Sequence, residues 1–274
     1  MSRVWAFLAT ILCSGPALAE TTALEALTRR DQMLGWEAVG RIDINPDKGG
    51  FCTGALIATD LVLTAAHCVM DAQGRPNDPG KMMFRAGYAA GQSIATSAVL
   101  RTVAHPDYDP TSPVSADNLR HDVALLQLAT PVPAAVAAPY QLASPGQGDA
   151  ISVVSYADGR AENLSWQREC TVLDRAEALI AMDCDVTFGA SGAPVFDRTG
   201  PRARIVSIIS AGGETNKGMV AYGMELPGVV RMLQGLLGAN KPLAEAGANA
   251  LPEVRQLGAG TGTSRDIGAR FLKP

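Results

Sequence analysis

Histidine is scarce in this chain, three residues in 274, and no Cys-x-x-Cys pair occurs. Zinc sites draw on those two residue types at close spacing, so the composition argues against a metal and gives no cofactor to expect. Concentrated positive charge is also missing: 23 Lys and Arg stand against 27 Asp and Glu, net charge −4, with no basic run. Phosphate backbones require a positive surface, which argues against nucleic acid as the partner. Beyond the first twenty residues, no stretch approaches the roughly 18 apolar residues that a membrane helix needs. Charged residues make up 18% and hydrophobic residues 47%, an ordinary globular balance. The length allows one domain or two closely packed halves.

The N-terminus begins with Arg3, continues through the apolar run Val4–Leu12 and reaches Ala17-Leu18-Ala19 before Glu20. A positive start, a short apolar core and an Ala-x-Ala exit describe a secretory signal peptide over residues 1–19. The expected address is therefore secreted or periplasmic, with no membrane association once the signal is removed. Cys13 leaves with it. The remaining Cys52, Cys68, Cys170 and Cys184 form an even set suited to disulfides in an oxidising compartment. Three pairings are open, and chain order favours Cys52 with Cys68 and Cys170 with Cys184.

Residues 20–35 read as an N-terminal extension carrying Arg29-Arg30, either a solvated pair or a processing site. From Trp36 the chain turns to short β-type runs: 38–44, 54–58, 61–64, 82–86 and 97–103, then 150–155, 170–173, 179–183, 193–196 and 204–210. Turns rich in Pro, Gly and Asp separate them, the pattern of an antiparallel all-β barrel or sandwich. Val229, Val230, Leu233 and Leu236-Leu237 recur at helical spacing, predicting one helix over about 226–237 that Gly238 ends. From residue 239 to 274 the composition shifts to Ala, Gly and Pro, a flexible tail outside the core.

Within Phe188-Gly189-Ala190-Ser191-Gly192-Ala193-Pro194-Val195, a serine flanked by glycines suits a tightly bent loop that projects one hydroxyl. A serine hydroxyl needs an adjacent base, and that base needs an orienting group. His67 sits next to Cys68 after a β run, where a Cys52–Cys68 bridge would hold the imidazole rigidly, as a general base requires.

Leu63-Thr64-Ala65-Ala66-His67-Cys68 matches the histidine motif of the chymotrypsin/trypsin-like serine endopeptidase family residue for residue. His121-Asp122-Val123-Ala124-Leu125-Leu126-Gln127-Leu128 and Gly189-Ala190-Ser191-Gly192-Ala193-Pro194 resemble its aspartate and serine motifs, in the family's order. The resemblance covers about 36–238 and implies two packed antiparallel β-barrels, about 36–140 and 141–238, with a C-terminal α-helix. It implies a serine endopeptidase acting on polypeptide substrates. Ser191 would be the nucleophile and His67 the general base. Asp122, buried at a strand start, would be the orienting acid. The N–H groups of Gly189 and Ser191 would form the oxyanion hole.

Asp185, six residues before Ser191, matches the family's pocket acid and implies a preference for Arg or Lys; a loop acid held by backbone donors is the other reading. Ser210-Ala211-Gly212 resembles the substrate-binding strand, with Ser210 and Gly212 as contacts and Ala211 in place of an aromatic. The chain departs from trypsin-like zymogens at Ala190, where they carry an aspartate that receives a newly cut N-terminus. The Ile-Val-Gly-Gly start is missing as well. In both respects the chain is similar to the bacterial secreted branch that includes glutamyl endopeptidases. No histidine follows Ser191, however, which disfavours a pocket histidine and glutamyl specificity. His105 and His121 read as structural, since adjacent strand residues point to opposite faces and His121 would face away from Asp122. Asn163-Leu164-Ser165 matches a glycosylation acceptor. A catalytically inactive, protease-like binding protein is the alternative function.

Overall fold

The computed structural model describes residues 22–45, 49–71, 73–215 and 218–239. The expected signal peptide and nearly all of the expected tail lie outside the described residues. The chain is mostly strand and forms two β units. Strand β1 (Leu24–Ala26) precedes the first unit, which contains β2 (Val39–Asp43), β3 (Phe51–Ala58), β4 (Leu61–Thr64), β5 (Met83–Ala86) and β6 (Ala95–Ala104). After the short helix α1 (Ala116–Arg120), β7 (Ala124–Leu128) completes a closed barrel of order β2-β3-β4-β7-β6-β5. The Thr59-Asp60 turn joins β3 to β4 as the sequence suggests, with Ala55 opposite Leu63 and Leu56 opposite Val62.

The second unit contains β8 (Gln141–Leu142), β9 (Ala150–Ser155), β10 (Ser165–Ala176), β11 (Leu179–Met182), β12 (Pro194–Asp197), β13 (Arg204–Ile208), β14 (Ala211–Thr215) and β15 (Gly218–Met224). They form a sheet of order β14-β15-β11-β10-β9-β12-β13-β8, and β1 adds to β10. Helix α2 (Pro227–Ala239) runs one residue past Gly238, expected to end it; of the stripe read from the sequence it buries Val230, Leu233 and Leu237, leaves Val229 half-buried and exposes Leu236, and it packs against β6 and β7 of the first barrel. The disulfides are the local pairs, Cys52–Cys68 and Cys170–Cys184. Among the described residues no helix is long and apolar enough to cross a membrane.

The segment before Trp36 is built into this body. β1 runs antiparallel to β10 with Leu24 opposite Gln167, and the Leu27 N–H donates to Leu164 O at 2.7 Å. Leu27 and Met33 are buried, and Trp36 packs on Trp166 and Phe196 with ring centroids 5.2 and 5.0 Å apart. Arg29 and Arg30 stay at the surface, Arg29 paired with Asp31, a setting that suits both readings of that dipeptide. Removing the Leu27 side chain leaves a cavity in a closed site, so Leu27→Ala is expected to cost about 2–5 kcal/mol. Urea titration of the two proteins measures it, and an unchanged midpoint would show that this segment contributes nothing to the core.

Candidate active site

His67 is placed by β4, whose four residues are all buried, and by the 3-10 turn Ala66–Cys68 that follows. The Cys52–Cys68 bridge ties that turn to β3. Asp122 arrives from the opposite direction. α1 is capped by the Ser115 hydroxyl, which accepts from Asn118 N at 3.3 Å, and the chain turns through His121 before entering β7.

Asp122 is only 2% exposed, so its oxygens need donors. Oδ1 accepts the His67 backbone N–H at 2.9 Å, and Oδ2 accepts at 2.7 Å from the ring atom Nδ1. The Ser210 hydroxyl donates to Oδ2 at 2.5 Å. Ser210, read from the sequence as a substrate contact, thus turns its side chain to the buried carboxylate. Its N–H is taken by Tyr222 O.

The Asp122 bond at Nδ1 fixes the imidazole tautomer, with the proton on Nδ1 and Nε2 as the ring's acceptor nitrogen. Burial disfavours the His67 cation, but the charge and hydrogen bond of Asp122 outweigh it, and the pKa is raised above the ordinary 6.5. Tyr108 was not singled out in the sequence. Burial first, and then the Asp122 charge, push its phenol pKa up.

The Phe188–Pro194 loop lies across the seam between the two units. Gly189 has φ +87° and Gly192 has φ +73°, conformations that favour glycine. Neither has room for a side chain: a Cβ on Gly189 would meet the Phe51 ring at 2.5 Å, and one on Gly192 would meet Thr53 O at 2.5 Å and Ala65 N at 2.9 Å. The Thr53 N–H donates to Ser191 O at 2.9 Å, Gly192 N–H to Ile209 O at 2.7 Å, and Ala193 N–H to Ala190 O at 2.9 Å. These contacts bring Ser191 to the end of β4, beside the turn that carries His67. Among the described residues, the N–H groups of Gly189 and Ser191 donate to no protein acceptor.

Asp185 is exposed, and its backbone N–H is held by Gln167 Oε1 at 2.8 Å. The position is therefore an exposed acid, and the bond that holds it is donated by its own N–H rather than by backbone donors to its carboxylate. The buried neighbour Val186 packs against Gly212 so closely that a side chain on that glycine would overlap it. His105 and His121 come together, with centroids 4.4 Å apart and planes at 17°. His121 is not a strand residue but caps α1, so the expected alternation of faces does not apply to it. His105 Nδ1 accepts the Asp107 N–H at 3.1 Å. The Asn163 acceptor sequence ends in Leu164 and Ser165, both fully buried.

An NMR titration of the His67 ring is expected to show a midpoint above 6.5. In Asp122→Asn the charge contribution is lost while burial remains, so the midpoint should fall below the wild-type value. An equal midpoint in both proteins would show that Asp122 does not control the ring.

Residues 52–201 match the family described as a trypsin-like peptidase domain. "Serine protease 23" of Rattus norvegicus is 29% identical over 170 residues, covering 54% of this chain and 43% of that protein. "Cathepsin G" of Mus musculus is 36% identical over 84 residues, covering 31% of this chain and 28% of that protein. The chain spans less than half the length of these curated relatives. Among solved structures, a Glu endopeptidase superposes with a TM-score of 0.65 at 17% identity, covering 81% of this chain and 100% of that one. The protease Anisep from Arthrobacter nicotinovorans gives 0.62 at 18% identity, covering 80% and 100%. At these identities the likeness is one of fold. With the family match extending over more than half of its residues, the chain belongs to the trypsin-like peptidase domain family.

Proposed function

We propose that this chain is a secreted or periplasmic serine endopeptidase. The observation that carries the reading is the ring of His67 held at 2.7 Å by a buried carboxylate beside the loop that bears Ser191. Ser191 Oγ attacks the scissile carbonyl and His67 Nε2 accepts its proton. The imidazolium then protonates the leaving amine, and water cleaves the acyl-enzyme by the same exchange. The Asp122 carboxylate, bonded to Nδ1, stabilises the imidazolium. The unoccupied N–H groups of Gly189 and Ser191 receive the oxyanion, a contribution worth about 3 kcal/mol for one donor. The two disulfides support the exported address.

The binding-protein alternative keeps the fold without turnover. A serine-reactive fluorophosphonate followed by intact mass separates the two. One adduct, lost in Ser191→Ala, is expected, and folded protein that takes no adduct would favour the binding module. Ser191→Ala should fold normally and lose about a thousandfold in turnover or more. The Arg/Lys preference rests only on the position of Asp185, whose exposed side chain gives it no support; digestion of a peptide library measures it.

Activation by a cut N-terminus is not part of this reading. Ala190 is 1% exposed in an apolar cluster with Val153, Cys170 and Val195, where no carboxylate waits for a partner. Protein starting at Glu20 is expected to be active uncut, and activity that appears only after cleavage near Arg30 would refute this. Ala190→Asp would bury an unpaired charge and is expected to cost about 3 kcal/mol or more, read as a lower denaturation midpoint.

A further inference from the structure

We propose that Thr53 is a positioning residue whose hydroxyl latches the oxyanion-site glycine from the opposite barrel. This rests on the endopeptidase reading above. Thr53 lies in β3 of the first barrel and is fully buried. Its Oγ1 donates to Gly189 O at 2.9 Å and accepts the Tyr156 N–H at 3.0 Å, both from the second unit. Its own N–H donates to Ser191 O at 2.9 Å. One residue therefore holds both members of the N–H pair proposed to receive the oxyanion.

The hydroxyl acts on Gly189 from two sides. The Gly189 C=O bond fixes the peptide plane that follows this residue. The plane that precedes it contains Phe188 O and the Gly189 N–H, which point in opposite directions across a trans peptide. Phe188 O accepts the Asp158 N–H at 2.6 Å, which turns the Gly189 N–H away from Asp158. Asp158 follows Tyr156 by two residues, and Tyr156 is the residue that Thr53 Oγ1 anchors. The same hydroxyl thus supports both peptide planes of a glycine that has no side chain to limit its dihedrals.

Where trypsin-like zymogens shape this loop with an aspartate before the serine, this chain has Ala190. A neutral hydroxyl in β3 supplies the constraint instead.

The test uses full-length protein, Thr53→Val, which keeps the shape and removes the hydroxyl, and Thr53→Ser, which keeps the hydroxyl. In Thr53→Val, kcat is expected to fall roughly 10- to 100-fold with KM within about twofold, because the oxyanion is bound only after attack. The affinity of a peptide aldehyde, whose adduct oxygen occupies the same site, should fall in parallel. The pH midpoint of kcat/KM should stay in place, because His67 and Asp122 are untouched. Thr53→Ser should remain within about threefold of wild type. Hydrogen exchange over residues 186–193 should be faster in Thr53→Val whether or not the protein hydrolyses peptides. Wild-type kcat and unchanged exchange in Thr53→Val overturn the latch. So does a Thr53→Ser loss of more than tenfold, which decides the matter if Thr53→Val does not fold. A wild-type protein that neither cleaves peptides nor takes the serine label refutes the endopeptidase reading instead, and the exchange comparison then judges the latch alone.

Discussion

A carboxylate that is 2% exposed is tolerable only where donors surround it, and those around Asp122 come from both halves of the molecule. His67 supplies a ring and a backbone N–H from the first barrel, and Ser210 supplies a hydroxyl from the strand region 88 residues further on. Docking of the two β units and satisfaction of the charge are therefore one event. Removing a donor from either side leaves part of a buried charge unpaired, a larger loss than the net worth of the bond. The same arrangement raises the pKa of His67, so the placement of the imidazole and the interior electrostatics have one origin.

Around that charge the Ser191 loop is shaped almost wholly by main-chain contacts. Gly189 and Gly192 fit because Phe51, Thr53 and Ala65 leave no space for a Cβ. Each neighbour belongs to β3 or to the end of β4, next to His67. The small residues read in the sequence as a tight bend are thus also a packing requirement: the loop can approach the first barrel only where side chains are missing.

Much of this was legible. The strand runs, the helix and the local disulfides follow from β-type residues between turn signals, helical period and chain order, which are local properties. What escaped notice depends on distant partners. β1 is three residues long and exists because β10 offers an edge at Ser165–Gln167. β14 contains Gly212 and Gly213, poor strand formers, and is held by β15. Ser210 was read for its place in a strand, while its hydroxyl serves Asp122. The spacing of Asp185 before Ser191 was visible but its exposure was not, because burial depends on what packs above a residue. Thr53 did leave a signal: a hydroxyl in a strand whose neighbours are apolar or small must find a partner when buried, although the sequence does not say which.

Ala190 and Thr53 together bear on how such a loop can be controlled. A buried ion pair that requires a newly cut terminus is conditional, since one partner does not exist before cleavage and a lone buried carboxylate is costly. Hydrogen bonds from a strand hydroxyl and a strand N–H carry no such condition. They form when the two β units dock, and each partner is present in the chain as synthesised. A loop held in this way takes its shape from folding itself, and its stability is tied to that of the seam between the two β units. On the proposed reading, control of proteolysis then falls to when and where the chain folds, which places the weight on export and disulfide formation rather than on a cut at Arg29-Arg30.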